Sequence, residues 1–99
     1  MKTPLLTIET GRLRRLMVFD LQQHFLGEQI YCVDTVDNNG LSNIRFGNKT
    51  QLIGILRTYK YSVKQEFKKD YEKFMEDLLK WNKIFQFENG LLNSIMVIS

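Results

Sequence analysis

The chain has 99 residues, 43% of them hydrophobic, including seven Phe, four Tyr and one Trp. That is apolar material for one core, and the length excludes a second domain of ordinary size, so residues 1–99 are expected to form a single unit. The net charge of +3 is modest; one Pro, six Gly and no Ser-rich or Pro-rich tract leave no linker or low-complexity segment.

Cys32 is the only cysteine, which excludes an internal disulfide and suits a reducing compartment. The apolar run before Glu9 is too short for a secretory leader, and no stretch reaches the roughly 20 apolar residues of a membrane helix. A cytoplasmic protein without membrane contact is the expectation.

Gly11 to Leu26 is predicted as a first helix, with Leu13, Met17, Leu21 and Phe25 recurring every four positions, Thr10 as N-cap and Gly27 as the stop. Leu16, Val18 and Phe19 widen its apolar surface, as in a central helix. Gln29 to Val36 is rich in β-formers and precedes Asp37-Asn38-Asn39-Gly40, whose residues suit a turn, so a hairpin onto Leu41 to Phe46 is predicted. In that second strand Asn43 and Arg45 alternate with Ile44 and Phe46, the pattern of a strand with one face buried.

Thr50 can cap a short helix to Tyr59 bearing Leu52, Ile53 and Leu56, although Gly54 weakens it by about 1 kcal/mol relative to Ala. A strand from Leu52 to Tyr61 is the rival reading. Ser62 and Gln65 resemble a capping box, and Val63, Phe67, Tyr71, Phe74, Met75, Leu78 and Leu79 then keep helical spacing to Trp81. Gln65, Lys68, Lys69, Glu72 and Glu76 fall on the opposite side. Lys83 to Glu88 and Leu91 to Ile98 flank Asn89-Gly90, a type I′ turn dipeptide, and are predicted as a C-terminal hairpin.

Charge is unevenly spread. From Arg57 to Lys69 stand Arg57, Lys60, Lys64, Lys68 and Lys69 against Glu66 alone, whereas Asp70 to Asp77 carries Asp70, Glu72, Glu76 and Asp77 against Lys73. A helix basic at its start opposes its own macrodipole, at a cost of about 0.3–1 kcal/mol per misplaced charge. Lysines beside free backbone N–H groups suit a phosphate.

Chemistry beyond binding has little material. His24 and Cys32 are the only histidine and cysteine; on a helix Asp20 would reach His24, which makes an Asp–His pair but no complete catalytic set. No catalytic residue, zinc site or glycine-rich phosphate loop is assigned, and no cofactor is expected. Glu72, Glu76 and Asp77 are the one carboxylate group that a hard cation could use.

Nucleic-acid binding is better supplied. The candidate contacts are Lys60, Ser62, Lys64, Gln65, Lys68 and Lys69, with lysines for phosphates and Gln65 for a base edge. Arg14 and Arg15, beside Arg12, form a second basic cluster. Tyr59 and Tyr61 interleave with Lys60 as stacking residues do.

Residues 12 to 98 resemble a winged-helix domain in the order of their predicted elements. The closest likeness is Tyr71-Glu72-Lys73-Phe74-Met75-Glu76-Asp77-Leu78-Leu79-Lys80-Trp81-Asn82-Lys83-Ile84-Phe85-Gln86-Phe87-Glu88-Asn89-Gly90, where Leu78, Leu79, Asn82 and Ile84 match the run of a recognition helix into a wing. The resemblance implies a small α+β domain of three helices with a C-terminal β-hairpin. It further implies helix-turn-helix binding to double-stranded DNA in transcription or replication control, with a homodimer as one assembly. Glu88, Asn89 and Asn93 depart from the basic wing of that family. They motivate the alternative, a small viral or mobile-element interaction module that binds and inhibits a host protein.

Overall fold

The computed structural model describes residues 3–80. Four strands, β1 (Leu6–Ile8), β2 (Leu13–Phe25), β3 (Glu28–Asp37) and β4 (Ser42–Gly47), are followed by helix α1 (Lys49–Thr58), a 3₁₀ turn (Gln65–Phe67) and helix α2, which runs from residue 68 to residue 80, the last described. The strands form one antiparallel sheet in the order β1-β2-β3-β4.

This corrects the three-helix, winged-helix expectation. Gly11 to Leu26 is not a helix: Leu13–Phe25 is the longest strand, paired on one side with β1 and on the other with β3. The fourfold spacing of Leu13, Met17, Leu21 and Phe25 is also a multiple of two, so it fits one side of a strand as well as one side of a helix. Leu, Met, Arg and Gln favour helix in isolation, and two flanking ladders override that preference. The coarse class, α+β, stands. The predicted hairpin at 83–98 lies outside the described residues.

Other elements follow the sequence closely. The Asp37-Asn38-Asn39-Gly40 turn closes β3 onto β4 with Gly40 at φ +86°, its N–H donating to the Asp37 carbonyl at 3.0 Å. The helix reading of the Thr50 segment is correct and the strand rival is not. Its cap, however, is Asn48, whose side chain accepts from the Gln51 N–H while the Gln51 side chain accepts from the Asn48 N–H. The predicted capping box at Ser62 is absent. Val63 pairs with Thr10 and Lys64 is extended, so α2 starts only at residue 68.

Register explains the core. Leu6 pairs with Val18, Ile8 with Leu16, Val18 with Val33 and Leu16 with Thr35, so these residues share one face of the sheet. Leu52, Ile53 and Leu56 of α1, Tyr59 and Val63, and Tyr71, Met75 and Leu78 of α2 pack on that face. Ile8, Leu16, Val18, Leu52 and Leu56 are fully buried, each contributing about 1.5–3 kcal/mol. Both helices therefore cover the same side. On the opposite side the alternate residues Met17, Phe19, Cys32, Ile44 and Phe46 line up, and Ile44 and Phe46 are 54% and 64% exposed.

Candidate nucleic-acid interface

Thr10 organises the entry to β2. Its buried hydroxyl accepts from the N–H groups of Arg12 and Leu13 at 3.0 and 2.8 Å, and its own N–H donates to the Leu13 carbonyl. Such a side-chain turn frees the neighbouring backbone to pair elsewhere. The segment after α1 uses it: the Gly11 N–H donates to the Ser62 carbonyl at 2.7 Å, and the Lys64 N–H to the Glu9 carbonyl at 3.0 Å. The Thr10–Val63 bridge thus joins two parts of the chain about fifty residues apart.

The consequence is that the segment carrying the second basic cluster is drawn toward the first, through Lys64, which bonds Glu9, and Phe67, which shares a groove with Arg14 and Arg15. Arg14 is the extra residue of a β-bulge, because Leu13 pairs with Asp37 and Arg15 with Val36. Strict alternation would turn one of two adjacent arginines inward; the bulge leaves both exposed. The Arg14 guanidinium donates to the Asn38 carbonyl at 3.1 Å, which ties it to the β3–β4 turn. Arg14 and Arg15 line a groove of about 330 Å³ with Thr7, Glu9, Val36 and Phe67. Phe67 comes from the 3₁₀ turn directly before Lys68 and Lys69.

The remaining expected contacts divide. Lys64 is exposed but its ammonium lies 3.1 Å from the Glu9 carboxylate. Ser62 is half-buried and its hydroxyl donates to the Tyr59 carbonyl, so it shapes the turn and does not project outward. Gln65 is exposed in the 3₁₀ turn, and Lys68 and Lys69 are exposed at the start of α2. Lys60 sits elsewhere, over the Tyr61 ring at 5.4 Å, in a groove of about 830 Å³ that α2 lines with Glu72, Met75 and Glu76. Those acids make Lys60 a poorer phosphate contact than its place in the sequence suggests. The two tyrosines part as well: Tyr61 is 92% exposed, whereas Tyr59 is buried under the Arg12 guanidinium, 5.1 Å from its ring centroid.

Two contributions were not read from the sequence. Glu9 is a carboxylate inside the basic groove, and only the Thr10–Val63 pairing reveals it. Arg12, noted for its charge, is committed to Tyr59 and to the Thr58 carbonyl.

The groups considered for catalysis lie apart from this groove. His24 is exposed in the distal part of β2, and the helical relation meant to join it to Asp20 does not exist in an extended strand. The Asp20 carboxylate accepts from the Gln22 N–H and the Gln29 side chain. Cys32 is a free thiol on the helix-free side of the sheet, in register with Phe19 and Phe46; burial, and then the nearby Asp34 carboxylate, push its pKa up. Among the described residues no three His, Cys, Asp or Glu side chains converge as metal ligands, and no helix is long and apolar enough to cross a membrane. No family model, curated protein or solved structure matches the chain.

Proposed function

We propose that this protein binds double-stranded DNA through its phosphates, as a cytoplasmic factor in transcription or replication control. Arg14 and Arg15 form one wall of the contact, and Lys64, Lys68 and Lys69 the other. One observation carries this reading: beside the Thr10–Val63 bridge, the groove that Arg14 and Arg15 line also takes in Glu9, the ion-pair partner of Lys64, and Phe67, the residue before Lys68. Arginine and lysine on an exposed surface bind phosphates without reading sequence, so the expected affinity is strongly salt-dependent.

Fluorescence anisotropy with a random-sequence duplex at several salt concentrations tests it. Four or five displaced phosphate counterions correspond to a log–log slope of about −4. Arg14→Glu with Arg15→Glu is expected to lower affinity at least tenfold, with a melting temperature lowered only by loss of the exposed Arg14–Asn38 hydrogen bond. Absence of salt-dependent binding, or wild-type binding by that double variant, would overturn the proposal.

A second reading, a module that binds a host protein, has a specific observation in its favour. The β2–β3 turn is Leu26-Gly27, with both residues at positive φ (53° and 81°), and Leu26 is 87% exposed beside Phe25 at 65%. Asn or Gly is the ordinary choice at the first of these positions. A leucine there accepts backbone strain to present an apolar tip, which suits insertion into a partner's pocket. Loss of partner capture on Leu26→Asn, with DNA binding absent, would favour this reading over the first.

A further inference from the structure

We propose that β4 is a self-association edge, pairing antiparallel with the β4 of a second copy about a two-fold axis at Ile44. This inference stands apart from DNA binding, because β4 and the strand β1 beside the basic groove are opposite edges of the sheet.

The hydrogen-bond phase of the β3–β4 hairpin points to it. The Asp37 N–H donates to the Leu41 carbonyl at 2.9 Å, which makes Asp37 and Leu41 a hydrogen-bonded pair. Bonded and non-bonded pairs alternate along an antiparallel ladder. Asn43, Arg45 and Gly47 therefore bond to β3 through their partners Thr35, Val33 and Tyr31. Ser42, Ile44 and Phe46 turn their N–H and C=O groups outward, along an edge that pairs with no other strand among the described residues.

The β3–β4 register runs without a shift from Tyr31–Gly47 to Val36–Ser42. The edge thus lacks a bulge, proline, lysine or acid, four of the devices that block edge pairing. Its one charge is Arg45, and the side chains flanking it, Ile44 and Phe46, are exposed.

Self-complementarity selects the second copy as the occupant. With the axis at Ile44, Ile44 faces Ile44 of the partner subunit and Ser42 faces Phe46 of the partner subunit, so all outward backbone groups of the strand are satisfied. Arg45 then faces Asn43 of the partner subunit, a neutral hydrogen-bonding side chain. An axis at Arg45 would also use the outward groups of Ile44 and Phe46, but it would set two guanidiniums opposite each other in a non-hydrogen-bonded pair, where side chains approach closest. An axis at Phe46 would run the partner into Asn48 and the start of α1.

The helix layer fits the same arrangement. Gly54 of α1 has nothing within 4 Å of the position a Cβ would take, so no described neighbour accounts for glycine there. It lies in a groove of about 530 Å³ with Arg45, Phe46, Gln51, Ile55 and Thr58, along the β4 edge. Pairing of the strands brings a second α1 to the same side of the enlarged sheet, and Gly54 leaves room for its approach.

Sedimentation equilibrium of the full chain, from micromolar to millimolar concentration, tests the assignment. A monomer–dimer equilibrium is expected. Ile44→Lys sets two ammonium groups opposite each other at the axis and is expected to abolish the dimer. Asn43→Asp sets a carboxylate opposite Arg45 at two symmetric places and is expected to tighten the dimer by about two- to thirtyfold, a gain that misfolding cannot produce. A monomer at every concentration, or a dimer whose constant neither substitution moves, would overturn the proposal.

Discussion

Lys64 is held to Glu9 twice: its backbone N–H donates to the Glu9 carbonyl at 3.0 Å, and its ammonium meets the Glu9 carboxylate at 3.1 Å. The first bond is part of the pairing that closes the basic groove. The second removes a cation from it. Both side chains are nearly half exposed, so the ion pair itself contributes about 0–1 kcal/mol. Glu9→Gln is therefore expected to raise duplex affinity two- to threefold by freeing Lys64, with a melting temperature close to wild type. Anisotropy and a thermal melt on the same sample check both halves.

Thr10→Val keeps the shape of a buried side chain and removes the acceptor of two backbone N–H groups. Two donors then lose their partner at a site that is 1% exposed, a cost of about 1–3 kcal/mol. Because Thr10 also sets the strand entry that pairs with Val63, duplex affinity is expected to fall along with stability. Urea titration followed by anisotropy at a temperature where the variant stays folded would separate the two effects.

The Tyr71 hydroxyl donates to the Leu56 carbonyl at 2.8 Å, linking α2 to the last turn of α1. Tyr71→Phe is expected to cost about 1 kcal/mol at neutral pH. Burial raises the Tyr71 pKa above 10.0, with Arg57 pulling weakly the other way. A group whose folded pKa is raised contributes stability that is complete below its unfolded pKa and is lost as pH rises through the folded value. Wild-type stability should thus fall above about pH 10. Part of that fall should be missing in Tyr71→Phe, and the remainder belongs to groups such as Tyr31, also raised by burial and by Asp20. Thermal melts from neutral to strongly alkaline pH read both curves.

Leu26 occupies a backbone conformation at φ 53° that asparagine tolerates better, and its side chain is almost fully exposed. Leu26→Asn is expected to stabilise the fold by about 0.5–1 kcal/mol. A denaturant midpoint that rises in this variant would establish that leucine at the tip is retained against stability.

The sequence by itself determined the elements whose signals are local. The Asp37-Asn38-Asn39-Gly40 turn, the hairpin it closes and the α1 stripe of Leu52, Ile53 and Leu56 were all legible, because each rests on residues within one or two turns of chain. The stripe of Tyr71, Met75 and Leu78 in α2 was legible too, but the start of that helix was not: Val63 and Lys64 belong to the pairing with Glu9 and Thr10, which no local pattern announces. Only the tertiary structure decided that Leu13–Phe25 is a strand, since its spacing serves both periods and its composition leans toward helix until β1 and β3 flank it. The candidate site divides in the same way. The basic residues were visible as two clusters, but the pairing of their segments at Thr10 and Val63, the bulge that turns Arg14 outward and the Glu9 carboxylate that holds Lys64 are long-range facts. A strand's hydrogen-bonding groups are satisfied by distant segments, so the partners it recruits follow from the assembled sheet and not from its neighbours in the chain.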